Sequence, residues 1–291
     1  MEYNRALIPK IDSERFGELD VLRGLAAVSV LSYHYTIIYP IVYDSTNIPL
    51  FSCTFGCYGF HLFFMISGYV ILMTLEKTSH PFDFVVARFS RLFPSYWAAV
   101  LLTFFITKYF WFYLNVSFYP SIYFEPSINR LLVNLSMFQH WMNVKNIDGS
   151  YWTLSAELLF YFLMFLAYLT KSLKYIELYG MAWLILMVLN KFFFYHFQGF
   201  SASFNFIFDN LLNYGNFFIA GILFYNLKTK GNKWYRHLGL GLCLLVFCAI
   251  TGWKEFLPVS FLLGIFYLFI YLWETKVHYS KTLDLFGYNL I

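Results

Sequence analysis

Apolar residues come in long blocks along this chain, and most of the few charges fall between the blocks. Stretches of about 18 or more residues with almost no charge read as membrane-crossing helices. Eight can be placed, over about residues 21–42, 57–76, 95–114, 151–170, 176–195, 211–228, 236–253 and 256–273, and a ninth starts near Leu285. The expected fold is all-α: a polytopic transmembrane helical bundle of about 8 to 9 spans. The longest connection, 115–150, is punctuated by Pro120, Pro126 and several Asn and Ser residues. Within it, Ile128–Trp141 suits a short interfacial helix. No internal repeat and no appended soluble domain stands out, so 1–291 reads as a single membrane domain.

Charge placement orients the bundle. The first 20 residues are polar and mixed in charge, unlike a cleavable signal peptide, and read as a short cytoplasmic arm. With the N-terminus cytoplasmic and the spans alternating, 15 of the 20 Lys and Arg residues fall on the inner side. Lys108, Arg130, Lys145, Lys191 and Lys254 fall on the outer side. Cytoplasmic loops of membrane proteins carry such an excess of cations, so the spans and the orientation support each other.

Composition agrees. Charged residues make up 12% of the chain and apolar ones 60%, whereas a soluble domain carries about 25% charged residues. The four cysteines add little. Cys53 and Cys57 lie close together in an outer loop, where a bridge and simple packing are both open; Cys243 and Cys248 sit in an apolar run and read as packing residues. No zinc-ligand spacing is present, so no metal is expected, and nothing in the sequence suggests nucleic acid as a partner.

The candidate chemistry lies in the few polar residues inside the spans. Arg23 and His34 are eleven residues apart, which places them on one face of a helix and about 16 Å apart along it. Ionisable residues within a membrane are costly and are functional candidates. Glu157, seven residues into its own span, has no basic neighbour in sequence and needs a partner or a proton. Counted from the ends of their helices, His34 and Glu157 fall at comparable depth in the outer half of the membrane. A carboxylate there would orient the imidazole or raise its basicity. Arg88 and Arg91 share a helix face near the inner side, with Arg23 at similar depth. Three guanidiniums around one pocket suit a phosphate-bearing ligand. Each residue also has a plainer reading: His34 as an interhelical tie, Arg88 and Arg91 as cytoplasmic anchors, Arg23 as a snorkelling side chain, Asp20 as an N-cap.

Four segments together resemble the acyltransferase-3 family of integral-membrane acyltransferases. LDVLRGLAAVSVLSYH resembles its opening helix, with the Arg-x10-His pattern at Arg23 and His34. YGFHLFFMISGYVI resembles its second helix, with Phe63, Phe64, Ser67 and Gly68. FVVARFSRLFPSYW is similar to its Arg-x2-Arg and Pro-x-Tyr segment, and YWTLSAELLFYF to its segment containing Trp152, Ser155 and Glu157. The resemblance covers roughly residues 18–165. It implies transfer of an acyl group, commonly acetyl from acetyl-CoA, to a hydroxyl of a cell-surface glycan or lipid-linked saccharide, in the bacterial inner (plasma) membrane. It implies His34 and Glu157 as the catalytic pair, with Arg23, Arg88 and Arg91 binding the acyl-CoA donor. There are departures: Leu158 and His61 stand where the family usually has carboxylates. The chain also ends at LDLFGYNLI, where further helices would be expected. A saccharide or lipid transporter without covalent chemistry is the alternative from another class, and a structural or sensory membrane protein is a third; paired broken helices or repeat symmetry would mark a transporter.

Overall fold

The computed structural model describes residues 17–42, 51–114, 127–192 and 202–285. The N-terminal arm before Gly17, Pro120, Pro126 and the residues after Leu285 lie outside them. The described residues are helical, without strands. Helix α1 (Gly17–Tyr33) continues through a π-helical turn, His34–Ile38, into the short α2 (Tyr39–Val42). Then follow α3 (Gly59–Lys77), α4 (Pro81–Leu114), α5 (Ile128–Leu135), α6 (Trp152–Leu169) and α7 (Ile176–Phe192). The remaining helices are α8 (Ala202–Lys230), α9 (Trp234–Thr251) and α10 (Phe256–Leu285). Among the described residues, seven segments are long and apolar enough to cross a membrane.

Helices α3 and α8 form the centre. Every residue from Gly215 to Asn226 is buried, and α3 contributes Leu62, Phe64, Met65, Ile66, Ile71 and Leu72 to the same core. Two glycines allow this. A Cβ on Gly68 would collide with the Phe218 carbonyl oxygen, and one on Gly221 with the Met65 carbonyl oxygen. The two backbones therefore meet directly, as small residues permit within membranes. Helices α6, α7, α9 and α10 pack around this pair. Sequence hydropathy places a span at 211–228, yet α8 is not among the seven apolar segments. Its buried Asn216 and Asn226 explain why: they donate to the Cys243 carbonyl (3.3 Å) and to Glu177 on α7 (2.8 Å), so an interior helix carries polar ties that lower its hydropathy.

The expected alternation of spans agrees with the contacts at the two ends. At the ends assigned to the inner side, Lys230 pairs with Glu76 (2.6 Å), which also accepts from Tyr225 (2.8 Å). There Arg236, 3% exposed, pairs with Glu177 (2.7 Å) and donates to the carbonyls of Asn226 and Gly231 near the end of α8. At the opposite ends, Tyr58 donates to Glu255 at 2.5 Å.

Several boundaries differ from the sequence reading: α8 starts at Ala202 rather than near 211, and α10 runs to Leu285 rather than to about 273. The third span does not start after Pro94. Helix α4 runs through that proline for 34 residues, about 51 Å, and outruns a hydrocarbon core of about 30 Å. Proline is tolerated in membrane helices because neighbouring groups satisfy the freed carbonyl. Asp20 is not an N-cap: it lies inside α1, and its carboxylate holds Arg23 at 2.8 Å. The interfacial helix is present but shorter, as α5, capped by Ser127 and tied to α4 by Tyr96 and Trp97 through the carbonyls of Asn134 (2.7 Å) and Leu135 (2.8 Å). Cys53 and Cys57 carry free thiols.

Gly221→Leu is expected to cost more than about 3 kcal/mol by forcing α3 and α8 apart, and to abolish a cooperative melt of the purified protein in detergent. Gly264→Ala, where a Cβ meets nothing within 4 Å, should melt within a few degrees of the parent.

Candidate active site between α1, α3, α4 and α6

Interhelical contacts fix the relative depth of each polar residue. Helices α3 and α6 run side by side in the same direction. Ser67 donates to Glu157 (2.5 Å) and Tyr168 donates to the Thr78 carbonyl (3.0 Å), and both pairs have the same 90-residue offset. Helix α4 runs opposite to α6: Phe84 stacks on Phe165 with centroids 5.8 Å apart, and the Arg88 guanidinium lies 5.8 Å from the Tyr161 ring centroid. Helix α1 runs opposite to α3, and Gly59 abuts Ala26 and Val30 so closely that a Cβ would clash.

The three arginines converge. Arg88 is 9% exposed; it donates to Thr74 Oγ1 and lies between the rings of Phe84 and Tyr161. Arg23 interacts electrostatically with Arg91 and Tyr161, and Arg88 with Arg91, Tyr161 and Glu157. Arg23 is bridged to Asp20, but among the described residues no carboxylate forms an ion pair with Arg88 or Arg91. Arg88 Nε is buried without a hydrogen-bond partner. Among the described residues, three guanidiniums against the two carboxylates of Asp20 and Glu157, with one buried donor unmet, leave a local excess of positive charge. A phosphate or other anion would neutralise it.

Glu157 belongs to this group. Its Oε1 accepts from Ser67 Oγ, on α3, and from Tyr161 OH, one turn further along α6. Two hydroxyl donors are what a half-buried carboxylate needs away from bulk water. The result is a polar seam: Ser67 and Glu157 near mid-depth, then Tyr161, then Arg88 with Thr74 toward the inner side.

His34 stands elsewhere. Val30 abuts Gly59 at the outer end of α3; His34 is one turn farther out, and Ser67 is eight residues farther in. Along the bundle, His34 is therefore about 18 Å from the Ser67–Glu157 level, and no hydrogen bond joins His34 to Glu157. The pair expected from sequence is not formed. Depth was counted from each helix's own end, and the ends do not lie in one plane. What orients the imidazole is its own helix. Nδ1 lies 2.8 Å from the Val30 carbonyl, which can only accept, so Nδ1 is the donor and, in the neutral imidazole, Nε2 holds the lone pair. His34 is exposed and heads the π-helical turn, an irregularity common at functional sites.

Tyr161 and Thr74 were not singled out in the sequence, and Ser67 appeared only within a motif. The signal for Tyr161 was available, since Glu157 and Tyr161 are four residues apart on an apolar helix. The departure at Leu158 has a structural counterpart. Leu158 lines a 470 Å³ apolar cavity between α4 and α6, bordered by Arg88 and Tyr161, where a carboxylate would be desolvated. His61 is buried in a ring of Tyr58, Phe60, Tyr214, Phe217 and Phe247, with neither nitrogen bonded.

A family model described as an acyltransferase domain, Acyl_transf_3, matches residues 16–288. The chain belongs to the acyltransferase-3 family. It is thus an integral-membrane acyltransferase, built as a helical bundle. Searches among curated proteins and among solved structures returned no match.

A double-mutant cycle on stability checks the geometry of this acyltransferase. Ser67→Ala and Glu157→Ala should be coupled by about 1 kcal/mol or more, whereas His34→Ala and Glu157→Ala should be additive within about 0.5 kcal/mol. Denaturant or thermal titration in detergent reads both.

Proposed function

We propose that the enzyme takes its acyl group, acetyl in the first instance, from acyl-CoA on the cytoplasmic side. It passes the group to a hydroxyl of a cell-surface glycan or lipid-linked saccharide, in the bacterial inner (plasma) membrane. The observation that carries this reading is the convergence of Arg23, Arg88 and Arg91 with more positive charge than the surrounding carboxylates offset. CoA offers phosphates, which guanidiniums bind bidentately and without losing their charge.

The chemistry is acyl transfer from sulfur to oxygen. His34 Nε2, left basic by the bond from Nδ1, takes the proton of the acceptor hydroxyl. The hydroxyl oxygen attacks the thioester carbonyl; the carbon–sulfur bond breaks, an ester forms, and the CoA thiolate is protonated as it leaves. Arg23 and His34 stand about 16 Å apart along one helix, a span comparable to the extended pantetheine arm between the phosphates and the sulfur of CoA. One donor molecule can thus engage both ends, and positioning lowers the barrier. The reaction needs no metal.

Labelled acetyl-CoA supplied to the purified enzyme with candidate glycans tests the reading. His34→Ala should lower transfer by about 10² to 10⁴-fold, as loss of a general base does. Arg88→Ala should mainly raise KM for acyl-CoA. Transfer that survives His34→Ala unchanged would remove His34 from the reaction.

A further inference from the structure

A 330 Å³ cavity lies between α6, α7 and α8, and neither Glu157 nor any of the three arginines lines it. Its lining is mainly apolar, with the hydroxyls of Thr170 and Ser172 at one end. Leu166 on α6 and Tyr179 on α7 line it and are also exposed, so it opens between these two helices toward the bilayer. Along α6 its wall runs from Phe160 to Thr170, about 15 Å, or half of a hydrocarbon core about 30 Å thick. Water does not fill an apolar groove at such depth; hydrocarbon does. The hydroxyl end is marked by charge. Lys171 lies between Thr170 and Ser172, and Lys174 follows in the same connection; both are exposed. The cation count assigns this connection to the inner side. Among the described residues no carboxylate pairs with either lysine. Glu177, close by in sequence, is already held by Arg236 and Asn226. Lys171 also sits in the left-handed region, at φ 55°. Its N–H reaches the Tyr168 carbonyl and that of Ser172 the Ala167 carbonyl, a helix end at which glycine is usual. The turn itself gains nothing from a lysine there.

We propose that this cavity seats one anionic phospholipid, with a chain between α6 and α7 and the phosphate at Lys171 and Lys174. Basic groups at the cytoplasmic mouth of a cleft between membrane helices suit anionic headgroups, and the cytoplasmic leaflet is where such lipids set the surface charge. The four-carbon stems of the lysines let their ammoniums reach a phosphate at the rim. From the rim the chain runs inward to Phe160, which stacks on Phe218 of α8 with centroids 4.1 Å apart. The lipid thus fills the gap between α6 and α8 that close helix packing leaves open. A zwitterionic lipid offers the same chains, but its own cation offsets its phosphate, so it gains less from the lysines. A free phosphate ester has the charge and lacks the chain. The seat does not depend on the acyl-CoA reading above.

Lipid binding to the full chain, delipidated in detergent, tests the proposal. Phosphatidylglycerol and phosphatidylcholine with identical chains, and glycerol phosphate as a head without chains, are titrated in turn. Native mass spectrometry counts bound lipid, and the melting curve reads the stabilisation that binding brings. Phosphatidylglycerol should bind at one per chain and raise the melting temperature by several degrees; phosphatidylcholine should bind more weakly, and glycerol phosphate should have no effect. The double variant Lys171→Gly with Lys174→Ala should weaken phosphatidylglycerol binding by roughly tenfold or more. Lys171→Gly alone should melt no lower than the parent without lipid, because glycine accepts the left-handed turn, so the loss is not one of folding. Ala167→Phe, which fills the groove and keeps both lysines, should also abolish the binding. If that variant does not melt cooperatively, the lysine variant and glycerol phosphate still decide. Arg91→Ala should leave binding unchanged. Equal binding of the two lipids, unchanged binding in the lysine variant, or no binding to the wild type would overturn the proposal. So would a shift by glycerol phosphate as large as that by the lipid. Binding lost in Arg91→Ala and kept in the lysine variant would place the lipid at the arginines and overturn it too.

Discussion

The direct backbone contact between α3 and α8 is what the rest of the bundle depends on. Gly68 and Gly221 each leave room for a carbonyl of the opposite helix, and no larger residue would. Inside a membrane, helices gain little from leaving lipid, so close packing and polar ties must hold them together. Both are present. The glycine contact sets the spacing, and the ties from Asn216, Asn226, Arg236 and Glu177 hold α7, α8 and α9 in register. Because Ser67 precedes Gly68, the same contact fixes the hydroxyl that binds Glu157. A packing constraint thereby becomes a constraint on the site.

The site is organised along the bundle axis rather than around one point. The arginine group, Tyr161, Glu157 and Ser67 form one polar seam from the inner side to mid-depth, while His34 stands alone at the outer end, oriented by the Val30 carbonyl. A compact catalytic pair would have implied both substrates meeting at one depth. The separation instead suits a long donor anchored at one end and reacting at the other. It also accounts for an unneutralised buried guanidinium, a costly arrangement when no ligand is bound.

Much of the fold was legible in the sequence, because hydrophobic blocks longer than a membrane is thick leave little choice, and the cation bias fixes their order. The exceptions have physical causes. Pro94 reads as a helix boundary in water but continues a membrane helix. Helix α8 was placed at 211–228 by its apolar block, but it is buried by protein rather than by lipid, and its asparagines keep it out of the most apolar segments. The site was half legible. Arg23, Arg88 and Arg91 converge as their shared side of the membrane suggested. Glu157 was rightly marked as needing partners, but Ser67 and Tyr161 supply them, and helix counting cannot see how far one helix is slid along another. His34 lies at the opposite end of the bundle from the arginines, and its orienting group is a backbone carbonyl, which no side-chain pattern reveals.

The central claim is that the donor is held from the cytoplasmic side while the group is delivered at the other. Sidedness in sealed proteoliposomes of known orientation tests it most directly. Labelled acyl-CoA is placed on one side only and a membrane-impermeant acceptor glycan on the other. The account predicts label on the acceptor when acyl-CoA is on the N-terminal side of the protein and the acceptor opposite, and none when the two are exchanged. Transfer only when donor and acceptor share a side would contradict it.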